Sequence, residues 1–187
     1  MDATKEQLEY KKPETGETAV FYVVKKKDLE LLRLFAEYGA DVNVQNKDGE
    51  SILHQICAEG MDVFARYLYK VGANPNLKDV EERTPLHIAT DKGNVKLVDL
   101  LVDKFKASVH ERTKDGSTLM HLASKSGNPH ISAVFIKKGV PLYMPNKRGV
   151  KAIHLASMTG NLDVVKSVLQ KGEKVDVRTN VSHTFYF

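Results

Sequence analysis

The chain has 187 residues, of which 42% are hydrophobic and 28% charged, and its formal net charge is +4. Its longest apolar run, residues 19–24, is far shorter than the roughly 20 residues that cross a bilayer, and its modest charge lacks the broad basic stripe of a nucleic-acid-binding protein. We therefore expect no direct membrane insertion and no nucleic-acid partner, while the single cysteine, Cys57, excludes an internal disulfide and predicts a reducing, cytoplasmic environment.

One local pattern recurs along the chain after a polar N-terminal segment at 1–13. Each unit opens with a turn tip, continues with a short helix that a Thr or Ser can cap, and then has a glycine and a longer helix with a one-sided apolar stripe. Two short helices and a projecting tip cannot bury their apolar faces alone, so the pattern predicts stacking of successive units. The predicted units span about 14–46, 47–78, 79–112, 113–145 and 146–178, within a domain at 14–180.

Four histidines mark the same position in units two to five. His54, His87, His121 and His154 are separated by 33, 34 and 33 residues, and each lies in a near-copy of the hexapeptide TPLHIA found at 84–89. Helices of neighbouring units pack about 8–10 Å apart, whereas a zinc ion needs each ligand nitrogen at about 2 Å. We therefore predict no metal site and expect each imidazole to bond to loop backbone.

Three departures from the pattern carry predictions. In unit one, Phe21 stands at the histidine position and Lys27 at the glycine position, as is common in terminal repeats. In unit three, Glu82 replaces the tip glycine and an extra residue falls within 103–108, so we expect its tip and its second loop to differ in shape from the others. We interpret residues 181–187 as the truncated start of a further repeat.

No residue cluster suggests catalysis. The sequence contains neither a Gly-rich phosphate loop nor a nucleophile elbow, and the repeat explains its carboxylates as loop or helix surface. We expect no enzyme activity, no catalytic residue and no cofactor.

The positions that the fold does not require lie at the tips and on the first helix of each unit. We predict that a protein partner binds there, because solenoids use such surfaces for recognition. The candidate partner-binding residues are Lys47, Glu50, Glu59, Val80, Arg83, Asp91, Lys92, Lys114, Ser117, Lys125, Lys147, Arg148, Val150 and Met158. The last three units are rich in basic candidates. An acidic partner for the C-terminal half is therefore one hypothesis, and a solvated surface that maintains solubility is the other.

The period near 33 with its T-P-L-H-x-A core resembles the ankyrin repeat, which implies an all-α solenoid of about five helix-turn-helix repeats with hairpin tips, plus a truncated sixth. Three stretches, DKFKASVHERTKDGSTLMHLAS (103–124), KKGVPLYMPNK (137–147) and VLQKGEKVDV (168–177), further resemble the cytoplasmic ankyrin array of NompC-type (TRPN) mechanosensory channels of the transient receptor potential superfamily. That resemblance implies a tether module from a cation channel, on the cytoplasmic side of a membrane, with microtubules as a cytoskeletal partner. The alternative is a free-standing cytosolic ankyrin adaptor or inhibitor that binds a protein through its concave face.

Overall fold

A computed structural model describes residues 7–170 of the chain, where the regular structure is helical apart from two isolated β-bridges. Five inner helices, each following a hairpin tip, are α1 (Ala19–Lys25), α3 (Ile52–Glu59), α5 (Pro85–Asp91), α7 (Leu119–Ser126) and α9 (Ala152–Thr159). The outer helices that alternate with them are α2 (Leu29–Glu37), α4 (Asp62–Lys70), α6 (Val95–Asp103), α8 (Pro129–Lys137) and α10 (Leu162–Gln170). Very short connections join each inner helix to the following outer helix, so the paired helices run antiparallel.

The helix pairs stack side by side into a solenoid. Inner helices pack against inner helices, as α7 does against α5 and α9, and outer helices α4, α6, α8 and α10 stack in the same order. The space between the two layers is apolar and contains the fully buried side chains of Leu86, Leu97, Leu101 and Leu119. The predicted all-α repeat solenoid is confirmed, while the boundaries of its repeats stay predictions.

The periodic histidines cap the inner helices, and His54 and His121 also bond to the next repeat. The backbone N–H of Ser51 donates to Nδ1 of His54 at 3.1 Å, and Nε2 of the same ring lies 3.0 Å from the carbonyl oxygen of Arg83. Because a backbone N–H can only donate, Nδ1 is unprotonated and Nε2 carries the hydrogen. His121 repeats this arrangement with the carbonyl of Val150, whereas Nε2 of His87 lies 3.2 Å from the carbonyl oxygen of Glu111 in its own repeat. Each of these imidazoles caps its own helix and bonds to loop backbone, as predicted.

Unit three keeps the tip geometry of its neighbours although it lacks the tip glycine. Glu82 adopts a φ of 58°, close to the 73° of Gly49, and its N–H donates to the carbonyl of Asp79 as that of Gly49 does to Asn46. The prediction of a different tip shape is therefore wrong, because the backbone of Glu82 takes the left-handed conformation that glycine usually supplies.

The second loop of unit three does differ from its equivalents. The N–H of Ala107 donates to the carbonyl of Leu101, whereas in unit two the N–H of Ala73 donates to the carbonyl of Leu68, which is one residue nearer in the sequence. Lys106 takes a φ of 55° in this loop, which accommodates the extra residue.

Unit one follows the same plan with two substitutions. Phe21 is 1% exposed and fills the histidine position with an apolar ring. Lys27 takes a φ of 58° at the position where later units have glycine.

Some predictions concern residues beyond the described range. Residues 1–6, the end of the fifth predicted repeat and the predicted truncated repeat at 181–187 lie outside the described residues. None of the helices within 7–170 is both long and apolar enough to span a bilayer.

Candidate functional site

The hairpin tips form a continuous edge along the stack. A backbone N–H of each tip donates to a carbonyl of the preceding tip at 2.8–2.9 Å: Lys47 to Thr15, Val80 to Asp48, Lys114 to Glu81 and Lys147 to Asp115. Side chains also hold the turns from within, since Oδ1 of Asn146 accepts from the N–H groups of Arg148 and Val150 at 3.0 Å. These bonds fix the tips relative to one another, so the side chains that they carry stand on a rigid support.

A cleft of about 270 Å³ lies between the tips and the inner helices of repeats three and four, with Ile88 of α5 and Leu122 of α7 among its lining residues. Leu155 of α9 follows His154 as Leu122 follows His121, and it is also partly exposed. We call the cleft, together with the equivalent surface of repeat five, the groove, and we call Ile88, Leu122 and Leu155 its floor ladder.

Ion pairs between successive repeats form the walls of the groove beside Ile88 and Leu122. Nζ of Lys125 lies 2.8 Å from Oδ1 of Asp91, and Nζ of Lys114 lies 3.7 Å from Oε1 of Glu81. Exposed pairs of this kind contribute only about 0–1 kcal/mol to folding. These pairs also affect binding, because they leave repeats three and four with little uncompensated charge at the walls of the groove.

The tip and inner helix of repeat five differ in charge from those of repeats three and four. Residues 147–160 contain no aspartate or glutamate, and Arg148 stands where the earlier tips carry Asp48, Glu81 and Asp115. Lys147 and Arg148 are exposed, and no carboxylate in residues 7–170 pairs with either of them. Among the described tips of the last three repeats, the unpaired positive charge of Lys147 and Arg148 therefore lies at repeat five.

Most of the predicted partner-binding residues are accessible. The partly buried candidates are Glu50, Arg83 and Val150. The exposed candidates are Lys47, Glu59, Val80, Asp91, Lys92, Lys114, Lys125, Lys147, Arg148 and Met158. Ser117 is only 8% exposed, because its hydroxyl donates to Asp115 at 3.0 Å and accepts from Asn146 at 3.3 Å. Ser117 is therefore not exposed as predicted, although it lines the cleft, and partner binding by all of these residues stays a prediction.

The sequence prediction omits the floor ladder. Ile88, Leu122 and Leu155 each directly follow the repeated histidine, so the period of the chain contained the signal. An apolar residue beside a core motif resembles a core position in the sequence. Only partial exposure distinguishes these three from the fully buried residues around them.

Two kinds of reactive group can be assessed among the described residues. No three His, Cys, Asp or Glu side chains of residues 7–170 cluster as a metal site requires. Cys57 is fully buried, and burial raises the pKa of its thiol, which keeps the sulfur protonated and unreactive.

Known proteins share this repeat pattern. The family model described as "Ankyrin repeats (3 copies)" matches residues 20–112 and 104–179. The chain is 31% identical over 144 residues to Inversin of Canis lupus familiaris, 35% identical over 94 residues to an ankyrin repeat protein of fowlpox virus (strain NVSL), and 29% identical over 110 residues to Alpha-latrotoxin-Lg1a of Latrodectus geometricus. These alignments cover 76%, 49% and 58% of this chain but 13%, 16% and 8% of the relatives, so the chain spans a small part of the proteins that it matches.

Proposed function

The chain belongs to the ankyrin-repeat family, and from that premise we propose that it is a non-catalytic module that binds a protein partner in the groove. The observation that carries the proposal is the hydrogen-bonded edge of tips, which presents exposed side chains on a fixed backbone. A preorganised surface loses little conformational entropy on binding, which favours affinity. A cytoplasmic location is part of the proposal and is supported by the single, buried Cys57.

Quantitative co-purification with the full chain as bait tests this proposal. The groove variant combines Leu122→Ser with Lys147→Glu and Arg148→Glu. The matched outer variant, Lys96→Glu with Lys137→Glu, makes the same charge change on exposed residues of α6 and α8. Proteins that the groove variant loses and the outer variant keeps support the proposal. Proteins that both variants keep, or that both lose, contradict it.

The more specific origin as a tether segment of a NompC-type (TRPN) channel also belongs to the proposal. It is supported by the stretches at 103–124, 137–147 and 168–177, whereas the family model and the relatives named above support the repeat module in general. Co-sedimentation of the full chain with stabilised microtubules tests the tether. Pelleting that the groove variant loses and the outer variant keeps supports it, and a chain that stays in the supernatant favours the free-standing adaptor.

A further inference from the structure

The floor ladder is the apolar part of the groove and is confined to repeats three to five. Ile88, Leu122 and Leu155 are each partly exposed, and in repeat two the equivalent position is the polar Gln55. At the far end Met158, also on α9, is 66% exposed and adds apolar surface to repeat five. We call each residue of the floor ladder a rung. A ligand that follows the ladder therefore meets an apolar side chain in each of three successive repeats.

The charges beside the ladder change from one end to the other. Next to Ile88 and Leu122, the lysines of the walls are already paired with carboxylates of repeat three. In the repeat that carries Leu155, the tip residues Lys147 and Arg148 have no carboxylate partner among the described residues. The charges beside the ladder are thus paired in repeats three and four, while the tip of repeat five is positive.

The spacing of the rungs limits the conformation of a ligand. Successive rungs are one repeat apart, which is about 8–10 Å for packed helices. A polyproline II segment rises about 3.1 Å per residue and has about three residues per turn, so every third side chain projects from one face about 9 Å further on. Three rungs therefore match ligand side chains at positions i, i+3 and i+6.

We propose that the groove binds an extended protein segment with large apolar side chains at every third position, followed by carboxylates that pair with Lys147 and Arg148. This inference rests on the proposed function, because it names the class of partner that the same groove takes. The carboxylates belong over repeat five, since a basic segment would place like charges against its two cations, and like-charge contacts suppress binding.

Selection from displayed random peptides of about 15 residues, which span more than three repeats when extended, tests the inference. The bait is the full chain, and fluorescence anisotropy measures the affinity of each selected peptide for three variants. Lys147→Glu with Arg148→Glu reverses the cations, Leu122→Ser removes the middle rung, and Lys96→Glu with Lys137→Glu is the matched control. Circular dichroism melting shows that each variant is folded.

We expect enriched peptides to carry an apolar residue at every third position beside a run of Asp or Glu. The double charge reversal should weaken binding about tenfold, mainly through a slower association rate, and Leu122→Ser about tenfold through lost burial. The control variant should bind like the native chain.

The opposite results separate this inference from the proposed function. Enriched peptides that are basic, or that lack the three-residue spacing, overturn the inference but keep the groove as the binding surface if Leu122→Ser weakens them. Peptides that bind all variants equally contradict both this inference and the proposed function. A selection that enriches no peptide overturns the inference alone.

Discussion

Acid should destabilise the protein through its buried histidines, and His87 allows the effect to be worked out. The ring is fully buried, and burial lowers its pKa from 6.5 to about 4 despite the hydrogen bond to the carbonyl of Glu111, which raises it. Nδ1 of His87 accepts the backbone N–H of Thr84 at 3.1 Å. A proton on Nδ1 would break this bond and leave a charge without water, which is why the folded state resists protonation.

The lowered pKa sets the direction and the size of the effect. In the unfolded chain the ring takes up a proton near pH 6.5, and in the folded chain near pH 4. The stability that neutral His87 contributes is therefore complete above pH 6.5 and is lost as the pH falls toward 4. A shift of this size corresponds to a loss of about 2 to 3 kcal/mol between about pH 7.5 and pH 4.5. Burial also lowers the pKa of His54 and of His121, so both rings add to the loss.

Urea unfolding, followed by circular dichroism at a series of pH values, measures this free energy. His87→Gln does not titrate in the interval and should lose about 2 to 3 kcal/mol less than the native chain as the pH falls. His110→Gln changes an exposed histidine that caps no helix, so it serves as the matched control. The same pH dependence in the native chain and in His87→Gln would refute the role given to His87.

Three further predictions concern stability and can be measured by urea unfolding. Leu86→Ala removes a fully buried side chain and should lower the free energy of unfolding by about 2 to 5 kcal/mol. Lys147→Ala changes an exposed side chain and should alter that free energy by less than about 0.5 kcal/mol. Equal effects of the two substitutions would contradict the assignment of core and surface. Glu82→Gly removes the side chain that makes the left-handed backbone conformation at this position unfavourable, and it should raise the free energy of unfolding by about 0.5 to 1 kcal/mol. A loss of stability would show instead that the Glu82 side chain has a stabilising contact. Arg112→Ala removes a bond from Nη2 to the carbonyl of Pro145 at 2.7 Å, so it should cost about 1 kcal/mol. It should also speed hydrogen exchange at the fifth tip, and unchanged exchange there would show that Arg112 does not hold this tip.

The sequence predicts the fold well because the same packing requirement recurs at every repeat. A histidine that caps its own helix must recur with the period of the stack, so His54, His87 and His121 identify the inner helices without any structure. The tip of unit three could not be predicted in this way. The main-chain bonds from Val80 to Asp48 and from Lys114 to Glu81 hold that tip in line, and they outweigh the preference of position 82 for glycine.

The charges of the groove were harder to predict, because a count along the chain does not tell which side chains meet. Lys114 and Lys125 suggest a basic surface, yet each pairs with an acidic residue one period earlier, Glu81 and Asp91. Aligning the repeats would have revealed these pairs. The same contacts make reversal of either lysine an ambiguous experiment, since a glutamate there would repel its own neighbour.

One bond between each pair of successive tips joins two main-chain atoms, so this part of the shape of the groove does not depend on the identity of its side chains. Any residue with a backbone N–H can occupy positions 47, 80, 114 and 147 while the same bond forms, and proline alone lacks the donor. Exposed substitutions of this kind change stability by only about 0.5 kcal/mol. Such a stack can acquire a new partner during evolution through substitutions of surface residues alone, while its backbone keeps the same structure.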